Sequence, residues 1–379
     1  MNLLIAPDKF KDALSAAAVG EALAQGIGRS FPAAQCRVLP LADGGEGSLE
    51  VLKMALHGEY VSCEVHDPLF RKIPASYLWI EANQTAIVEM ARASGIELLR
   101  PEERNCLITT SLGTGELIRH ALDKGARHIT LTVGGTATND AGMGMAAALG
   151  FEFLDAAGEV LSPIGQHLGL VQHIRTERVH PALSQARIQV ATDVTNPFAG
   201  SAGAAYVFAR QKGANDAGIA QLDQGLQHVA GVFRQQLGKS VDDYVGAGAG
   251  GGIAGGACCL LNANIQSATD WILETLSFEQ HLQWADVLLT GEGKIDSQSW
   301  DGKLVSRLLA QAERHHKPVI LVCGTLQQPE KVLEFPSVWY ATSVLKAPVS
   351  LETALHSTRQ LLEKEGLLLG RLLSKFWGW

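Results

Sequence analysis

The sequence LLTGEGKID occupies residues 288–296 of the chain, and Gly302 and Lys303 follow it closely. Its apolar first residues predict a buried strand, which ends in two glycines that alternate with two acidic residues and a lysine. Glycine lets a backbone approach a ligand closely, and carboxylates can hold a cation. The stretch therefore predicts a strand of an α/β sheet that ends in a phosphate and Mg²⁺ site. The alternative is a strand-to-loop turn whose charges are only solvated.

Four further segments have a similar composition, because each follows a short apolar stretch and places an Asp beside Gly, Lys, Asn or Thr. They are APDKFK at residues 6–11, LADGGEG at 41–47, GGTATND at 134–140 and ATDVTNP at 191–197. The second of them is expected to follow a strand at residues 38–42. Open α/β sheets bind their ligands at the carboxyl ends of the strands. Five such segments predict that the ligand site lies at these ends.

The order of the predicted elements indicates an α/β fold with two domains. A chain of 379 residues is too long for one ordinary core. Strands alternate with helices near both chain ends, which predicts a parallel sheet with helices packed on it. Strand-like runs between about residues 59 and 90 predict antiparallel strands instead. We therefore expect a split, Rossmann-like parallel-sheet domain of residues 1–60 and 283–379, and an inserted mixed α/β domain of residues 61–282.

Composition excludes several classes of partner. The chain carries 31 Lys and Arg against 39 Asp and Glu, a net charge of −8, and has no basic block. We therefore expect no nucleic acid partner. No apolar run is long enough for a membrane span, and the first residues do not resemble a signal peptide. The six cysteines lack CxxC spacing, and Cys258 and Cys259 are adjacent, so we expect reduced core residues and a cytoplasmic location.

The glycine-rich segment 246–256 contains seven glycines, and Gly250, Gly252 and Gly255 satisfy a GxGxxG pattern. The pattern is weak evidence for a dinucleotide site, because no buried strand is predicted before it. One alternative is a turn that lets a helix begin in close packing. Another is a helix N-terminus that offers N–H groups to an anion. The chain has no Walker A motif and no HExxH motif, which argues against a P-loop nucleotide site and a zinc site.

Two other segments also leave alternatives open. SLGTGELI at residues 111–118 places a hydroxyl and glycines before a helix, which fits either ordinary capping or an anion pocket. Gln211, Lys212 and Gly213 follow an apolar run, and the lysine is either exposed or a phosphate contact.

Together, and in this order, these segments resemble those of the bacterial glycerate kinase family. The resemblance rests on residues 6–11, 41–47, 111–118, 134–150, 192–214, 246–256 and 289–303. It implies two α/β domains with the site in the cleft between them, and transfer of the ATP γ-phosphoryl group to D-glycerate with Mg²⁺. The implied product is 2-phosphoglycerate. Ala141 stands where the family usually has Gly, and Thr136 where it usually has Ser.

Three alternatives to this activity remain open, namely a glycerate 3-kinase, a glycerate-binding regulator without turnover, and a dehydrogenase based on the weak GxGxxG pattern. The enzyme could be a monomer or a homodimer.

The resemblance also suggests a role for each candidate residue. Lys9 and Lys212 would neutralise phosphate oxygens, and Glu292 with Asp296 would hold Mg²⁺. Asp193 would accept the proton of the glycerate hydroxyl, with Asp43 and Asp8 as the other candidates. The remaining candidates for substrate and phosphate binding are Gly44, Gly45, Ser111, Gly113, Thr114, Gly134, Gly135, Thr136, Thr138, Asn139, Asp140, Asn196, Gln211, Gly291, Gly293 and Lys303.

Overall fold

The computed structural model describes residues 1–42, 44–45, 47–300 and 304–376, with only the backbone of residues 297 and 298. In chain order its strands are β1 (Asn2–Ile5), β2 (Gln35–Val38), β3 (Glu59–His66), β4 (Lys72–Ile80), β5 (Thr85–Glu89), β6 (His128–Thr132), β7 (Glu152–Leu154), β8 (His173–Arg175), β9 (Arg187–Ala191), β10 (Asn264–Gln266), β11 (Val287–Thr290), β12 (Lys294–Ile295), β13 (Val319–Cys323), β14 (Thr325–Leu326) and β15 (Val338–Ser343). Its α-helices are α1 (Ala16–Ser30), α2 (Ser48–Leu56), α3 (Ala91–Ser94), α4 (Leu112–Asp123), α5 (Met143–Ala148), α6 (Ala204–Phe208), α7 (Asp216–Val232), α8 (Ile253–Leu261), α9 (Ala268–Thr275), α10 (Phe278–Trp284), α11 (Ser297–Trp300), α12 (Leu304–Arg314) and α13 (Leu351–Phe376).

The described residues form two compact units. Unit 1 is drawn from residues 1–43, 50–52 and 269–379, and unit 2 from residues 44–49 and 53–268. Residues 269–282 thus lie in unit 1, although the predicted boundary between the domains is residue 283. The residues of this stretch form most of α9 and most of α10.

Unit 1 is built on a sheet of parallel strands in the order β15-β13-β11-β1-β2. Its central strands are continuous apolar runs, as expected for strands that are covered on both faces. Leu3, Leu4 and Ile5 in β1 are fully buried. Strand β1 pairs with β11, with Ile5 opposite Leu289, so the first part of the chain and the part after residue 283 share one sheet.

Helices α1 and α13 pack closely in unit 1 because glycines lie where they meet. A Cβ atom on Gly26 would be 2.1 Å from the carbonyl oxygen of Glu363, and one on Gly366 would be 2.4 Å from that of Leu23. No larger residue fits at either position without moving a helix. The hydroxyl of Ser15 caps the start of α1 by accepting from the N–H of Ala18.

Unit 2 is built on a mixed sheet with the order β10-β9-β6-β5-β4-β3. Strands β10, β9, β6 and β5 run parallel, whereas β4 is antiparallel to both β5 and β3. The prediction of antiparallel strands in this part of the chain is therefore confirmed, as is the α/β fold class.

Strand β2 differs from its prediction, because it ends at Val38 and not at residue 42. The N–H groups of Leu39 and Leu41 still bond to the backbone of residues 5 and 7. However, Pro40 and Pro7 have no N–H to donate, so the regular ladder stops. Asp43 therefore does not directly follow a strand as predicted, and it lies outside the described residues.

All six cysteines carry free thiols, and four of them are buried. Among the helices of the described residues, none is both long enough and apolar enough to cross a membrane.

Candidate active site

In unit 2 the predicted segments lie in the loops after β6 and β9. These strands are parallel neighbours, so their carboxyl ends meet at one edge of the sheet. The glycine-rich segment packs against both loops. A Cβ atom on Gly251 would lie 2.1 Å from the Thr138 carbonyl oxygen, and one on Gly246 would lie 2.5 Å from that of Val194. Three of the sequence motifs therefore form one loop cluster.

The same contacts decide between the interpretations of the GxGxxG pattern. The segment follows a turn of 3₁₀ helix, Val241–Asp243, rather than a strand. Gly250, Gly251 and Gly252 have φ angles of 64°, 74° and 86°, and α8 begins at the next residue. The glycines thus permit a left-handed backbone and close packing. The arrangement is the tight turn before a helix and not a dinucleotide-binding strand–turn–helix, and the binding of an anion at the start of α8 stays a prediction.

Lys212 lies at the centre of this cluster and is only 3% exposed. Its ammonium donates to the hydroxyl of Thr136 at 2.9 Å and to the carbonyl oxygen of Thr138 at 2.8 Å. Burial lowers the pKa of this ammonium from 10.5 to about 8. An ammonium has three donors, so these two bonds leave one for an anionic ligand. Of the two interpretations of Lys212, an exposed lysine is wrong.

The Asp140 carboxylate shapes the loop that holds Lys212. It is fully buried and accepts from the N–H groups of Ser111, Gly142 and Gly144 and from the Ser111 hydroxyl, which is 2.7 Å away. Burial raises the pKa of Asp140, and these hydrogen bonds oppose that rise. The carboxylate therefore bonds within the protein, where it fixes the turn into α5.

Ser111 does not cap α4 through its side chain. Its hydroxyl accepts from the N–H of Met145, in addition to donating to Asp140. The glycines of the same motif allow α4 to pack closely, since a Cβ atom on Gly113 would lie 1.9 Å from the His66 carbonyl oxygen. Capping by Ser111 is therefore not the role of this segment, and the anion pocket stays a prediction.

Two residues of the loop after β6 have buried polar atoms without a hydrogen-bond partner in the described residues. They are Thr138, through its hydroxyl, and Asn139, through both atoms of its amide. Both side chains are 0% exposed. Leaving such groups unpaired costs about 1–3 kcal/mol each. Hydrogen bonds to a substrate or an ordered water would remove this cost, so the loop chemistry suits a polar ligand.

The segment that contains Gly44 and Gly45 lies beside this loop. A Cβ atom on Gly134 would be 3.5 Å from the Cα atom of Gly45, and one on Gly44 would be 2.5 Å from the Cβ atom of Ala268. The residue before Ala268, Ser267, donates its hydroxyl to Asp193 at 2.7 Å. The structure therefore groups the predicted segments around 44, 134 and 193.

Ser267 is a site residue that the sequence analysis missed. It follows β10, which runs parallel to β9, with Gln266 opposite Ala191. Ser267 and Asp193 therefore emerge at the same edge of the sheet. Prediction of β10 would have revealed this, but a three-residue strand gives little signal.

In unit 1 the predicted residues lie in the loops after β1 and β11. The N–H of Asp8 bonds to the Gly291 carbonyl oxygen at 2.9 Å, and the N–H of Lys9 to the Asp8 carboxylate at 2.7 Å. Asp8, Lys9, Glu292 and Gly293 line a common cavity of about 510 Å³. Two of the five predicted segments therefore meet in this unit.

The glycines of the TGEG motif serve the packing of the protein itself. Gly291 has a φ of 152°, and a Cβ atom there would lie 1.8 Å from the carbonyl oxygen of Val322 in β13. A Cβ atom on Gly293 would lie 3.2 Å from the backbone nitrogen of Lys11. The glycine pattern is thus explained by approach to backbone, without requiring a ligand.

The predicted metal ligands of unit 1 have different surroundings. Glu292 lines the cavity, whereas Asp296 pairs with Lys294 at 3.2 Å and is absent from the described lining. Glu292 is also one cause of the raised pKa of the Cys323 thiol, about 12, although burial contributes more. Groups of three or more His, Cys, Asp or Glu suited to a metal do not occur in the described part of the chain.

Other candidates bond within the protein. Thr114 shares a hydrogen bond with the Ser94 hydroxyl, and the Asn196 amide donates to the Ala202 carbonyl oxygen. Gln211 is exposed, next to the buried Lys212. Lys303 lies outside the described residues.

Ala141 has a φ of 53°, a left-handed conformation that costs a residue with a Cβ atom about 1–2 kcal/mol. A glycine at this position would adopt the same turn without that cost.

Residues 3–374 match the model of the glycerate kinase family. The chain is 40% identical to the Escherichia coli (strain K12) protein named glycerate 2-kinase, over 93% of each chain. It is 38% identical to a Bacillus cereus protein named glycerate kinase, over 96% of this chain and 95% of that one. A crystal structure of a Salmonella typhimurium LT2 protein, provisionally named glycerate kinase 2, matches with a TM-score of 0.89 and 37% identity over 100% of both chains. The chain therefore belongs to the glycerate kinase family.

Proposed function

We propose that this enzyme transfers the γ-phosphoryl group of ATP to the 2-hydroxyl of D-glycerate, with Mg²⁺, to give 2-phosphoglycerate and ADP. The observation that carries the proposal is the match along nearly the whole chain to proteins named glycerate kinase, one of them a glycerate 2-kinase. We expect it to act in the cytoplasm, as a monomer or a homodimer.

Lys212 is the proposed contact for a phosphate oxygen. Phosphoryl transfer depends mainly on positioned charges, because the protein does little covalent chemistry. The Thr136 hydroxyl and the Thr138 carbonyl fix the ammonium from two sides. A cation held in this way needs no reorganisation when negative charge develops near it. The loop that contains Gly134, Gly135 and Asn139 is the proposed partner of the substrate carboxylate, with Lys9 as the alternative.

Asp193 is the proposed general base that takes the proton from the glycerate hydroxyl. Its carboxylate is half-buried and accepts from the Ser267 hydroxyl, which orients it. The other residues of the segment 191–197 are uncharged, so Asp193 supplies the carboxylate of the loop after β9. Asp8 and Asp43 remain the alternative bases, and Asp8 has the distinct surroundings of the unit 1 cavity.

Glu292 with Asp296 is the proposed Mg²⁺ pair, and Lys9 and Lys303 are proposed phosphate contacts. The donor set fits the ion, because Mg²⁺ takes one or two carboxylates and completes its shell with water and phosphate oxygens. When bound, Mg²⁺ would neutralise charge on the transferred phosphoryl group. Asp296 is paired with Lys294, so its proposed contact with the ion runs through a water molecule.

The proposal is tested with purified protein, ATP, Mg²⁺ and D-glycerate. ADP formation should require all three, should stop on addition of EDTA, and should be absent with L-glycerate. The ³¹P NMR spectrum of the product, with proton coupling retained, distinguishes a phosphate on the single-proton C2 from one on the two-proton C3. ADP release without glycerate would contradict the kinase proposal, glycerate binding without ADP formation would indicate a regulator, and a C3 signal would make the enzyme a 3-kinase.

A further inference from the structure

The cavity of unit 1 has a wall that the proposed roles of Asp8, Lys9 and Glu292 do not use. Its 510 Å³ are enclosed by the loops after β1, β11 and β13, by residues 344–345 after β15, and by the start of α13. These strands are parallel neighbours, so the cavity lies at the carboxyl edge of the sheet. Its volume falls in the range of about 300–1,000 Å³ that is usual for pockets that bind small molecules.

One face of α13 forms much of the unused wall. Leu351, Ala354, Leu355 and Thr358 line the cavity, at the spacing that places residues on one side of a helix. Leu351 is a large apolar residue, yet it is 75% exposed and lines the cavity instead of packing in the core. Val344 and Leu345 extend this apolar wall.

The loops supply charged side chains to the cavity, basic and acidic residues instead of the apolar ones of the wall. Lys9, Lys11 and Lys294 line the same cavity, together with the three acidic residues Asp8, Asp12 and Glu292. Basic side chains suit phosphate oxygens, and carboxylates suit a cation bound to those oxygens. The matching ligand has a flat apolar part at one place and phosphates with a divalent cation at another. Glycerate is small and wholly polar, so it has nothing to place against α13.

We propose that this cavity binds the nucleotide donor, with the adenine ring against α13 and the phosphates toward Lys9 and Glu292. The inference rests on the proposed ATP-dependent function. It assigns the donor to unit 1, and it makes the first turns of α13 the determinant of nucleotide affinity.

The experiment changes two residues of α13 that line the cavity. In Ala354→Trp a bulky ring replaces a methyl group on the lining face, and in Leu351→Asp the apolar wall loses a large side chain and gains a charge where the adenine ring would lie. The aspartate lies in the first turn of a helix, where a negative charge is favourable, so this variant should fold. Leu368→Trp is the matched control, because Leu368 is 58% exposed on the same helix and does not line the cavity.

Two measurements are made on each variant. The first is the Kd of the fluorescent nucleotide N-methylanthraniloyl-ATP without glycerate, and the second is the KM for ATP and for D-glycerate. We expect Ala354→Trp and Leu351→Asp to raise the Kd and the KM for ATP at least tenfold, with the KM for D-glycerate changed less than threefold. Leu368→Trp should match the unsubstituted enzyme in all three values.

Unchanged ATP constants in both variants would overturn the inference, as would a rise in the KM for D-glycerate alone. Either result leaves the proposed function standing if the unsubstituted enzyme still requires D-glycerate for ADP formation. Conversely, an enzyme that does not phosphorylate glycerate still allows the binding titration, so the two proposals fail separately. Circular dichroism checks the fold, and if Ala354→Trp does not fold, Leu351→Asp decides.

Discussion

Lys212→Met should abolish most of the activity and leave the protein folded. Methionine keeps much of the length of the lysine side chain and removes its charge. Loss of a positioned charge-stabilising group typically costs about 10²–10³ in rate, so we expect a fall of that size in kcat/KM for D-glycerate. Lys212→Arg should recover little, because a buried site fitted to an ammonium has no room for a planar guanidinium.

The expected effect on stability follows from the pKa of Lys212. A fall from 10.5 to about 8 means that the native state disfavours the charged lysine by about 3 kcal/mol relative to the unfolded chain. Methionine removes that cost. It also leaves the Thr136 hydroxyl and the Thr138 carbonyl without their donor, at about 1–3 kcal/mol each. The effects oppose each other, so we expect the free energy of unfolding to change by less than about 3 kcal/mol.

The pH dependence gives an independent check of the same group. Because the pKa of Lys212 is lower in the native state, the unfolded chain keeps a proton that the native protein loses between pH 8 and 10.5. The stability contribution of Lys212 therefore rises with pH in this window. The difference in unfolding free energy between the enzyme and Lys212→Met should shift by about 1.5 kcal/mol in favour of lysine from pH 8 to 9.5.

Activity should respond in the opposite direction, because the charged form is the active one. The kcat/KM for ATP should fall about tenfold between pH 7 and 9, with an apparent pKa near 8. Urea unfolding and a coupled ADP assay on the two proteins measure both effects. Retention of kcat/KM within threefold in Lys212→Met, or a kcat/KM that is constant to pH 9.5, would refute the role of Lys212.

Three further predictions test the other parts of the site and the fold. Asp193→Asn keeps the acceptor for Ser267 but cannot take a proton, so kcat should fall about 10²–10⁴-fold with the KM for ATP nearly unchanged; near-normal kcat, with loss in Asp8→Asn instead, would move the base to unit 1. Glu292→Gln should raise the Mg²⁺ concentration needed for half-maximal rate, so that added Mg²⁺ restores part of the activity; a loss that is independent of Mg²⁺ contradicts the metal role. Gly291→Ala should destabilise the protein by more than about 3 kcal/mol in thermal unfolding, because its Cβ would overlap the backbone of β13. Gly28→Ala, which has no atom within 4 Å of its added Cβ, should stabilise by about 0.5–1 kcal/mol, and similar effects at both positions would show that the contact at Gly291 is unimportant.

The strands that frame the site could be predicted because their chemistry is local. β5, β13 and β15 are each an apolar or alternating run between turn-forming residues, a pattern that predicts a strand without knowledge of the rest of the fold. β2 ends early because Pro40 and Pro7 lack an N–H group. Pro7 follows β1, about 30 residues earlier in the chain, so the sequence next to β2 does not reveal its effect. β10 and α9 are short, and their positions depend on packing against the rest of the fold.

Burial was the property of the site that the sequence could not supply. The residues around Lys212 in the sequence fit an exposed lysine equally well, and a loop 76 positions earlier in the chain helps to enclose it, through Thr136. Asp140 looked like a ligand contact because it follows Asn139 in a glycine-rich loop. Its partners, however, are Ser111 and the backbone of the turn into α5. Whether a polar residue faces a ligand or a neighbour depends on contacts that are distant in sequence.

The placement of the active site in a cleft between two domains stays a prediction, and so do the assigned roles of the individual residues. Within unit 2, however, the geometry orders those roles. Asp140 fixes the turn after β6, that turn carries Thr136 and Thr138, and these two residues hold the Lys212 ammonium. The ammonium that we propose as a substrate contact is thus positioned by a carboxylate whose described hydrogen bonds all lie within the protein. A substitution at Asp140 should therefore resemble one at Lys212 in activity while costing more in stability, because it breaks four internal hydrogen bonds.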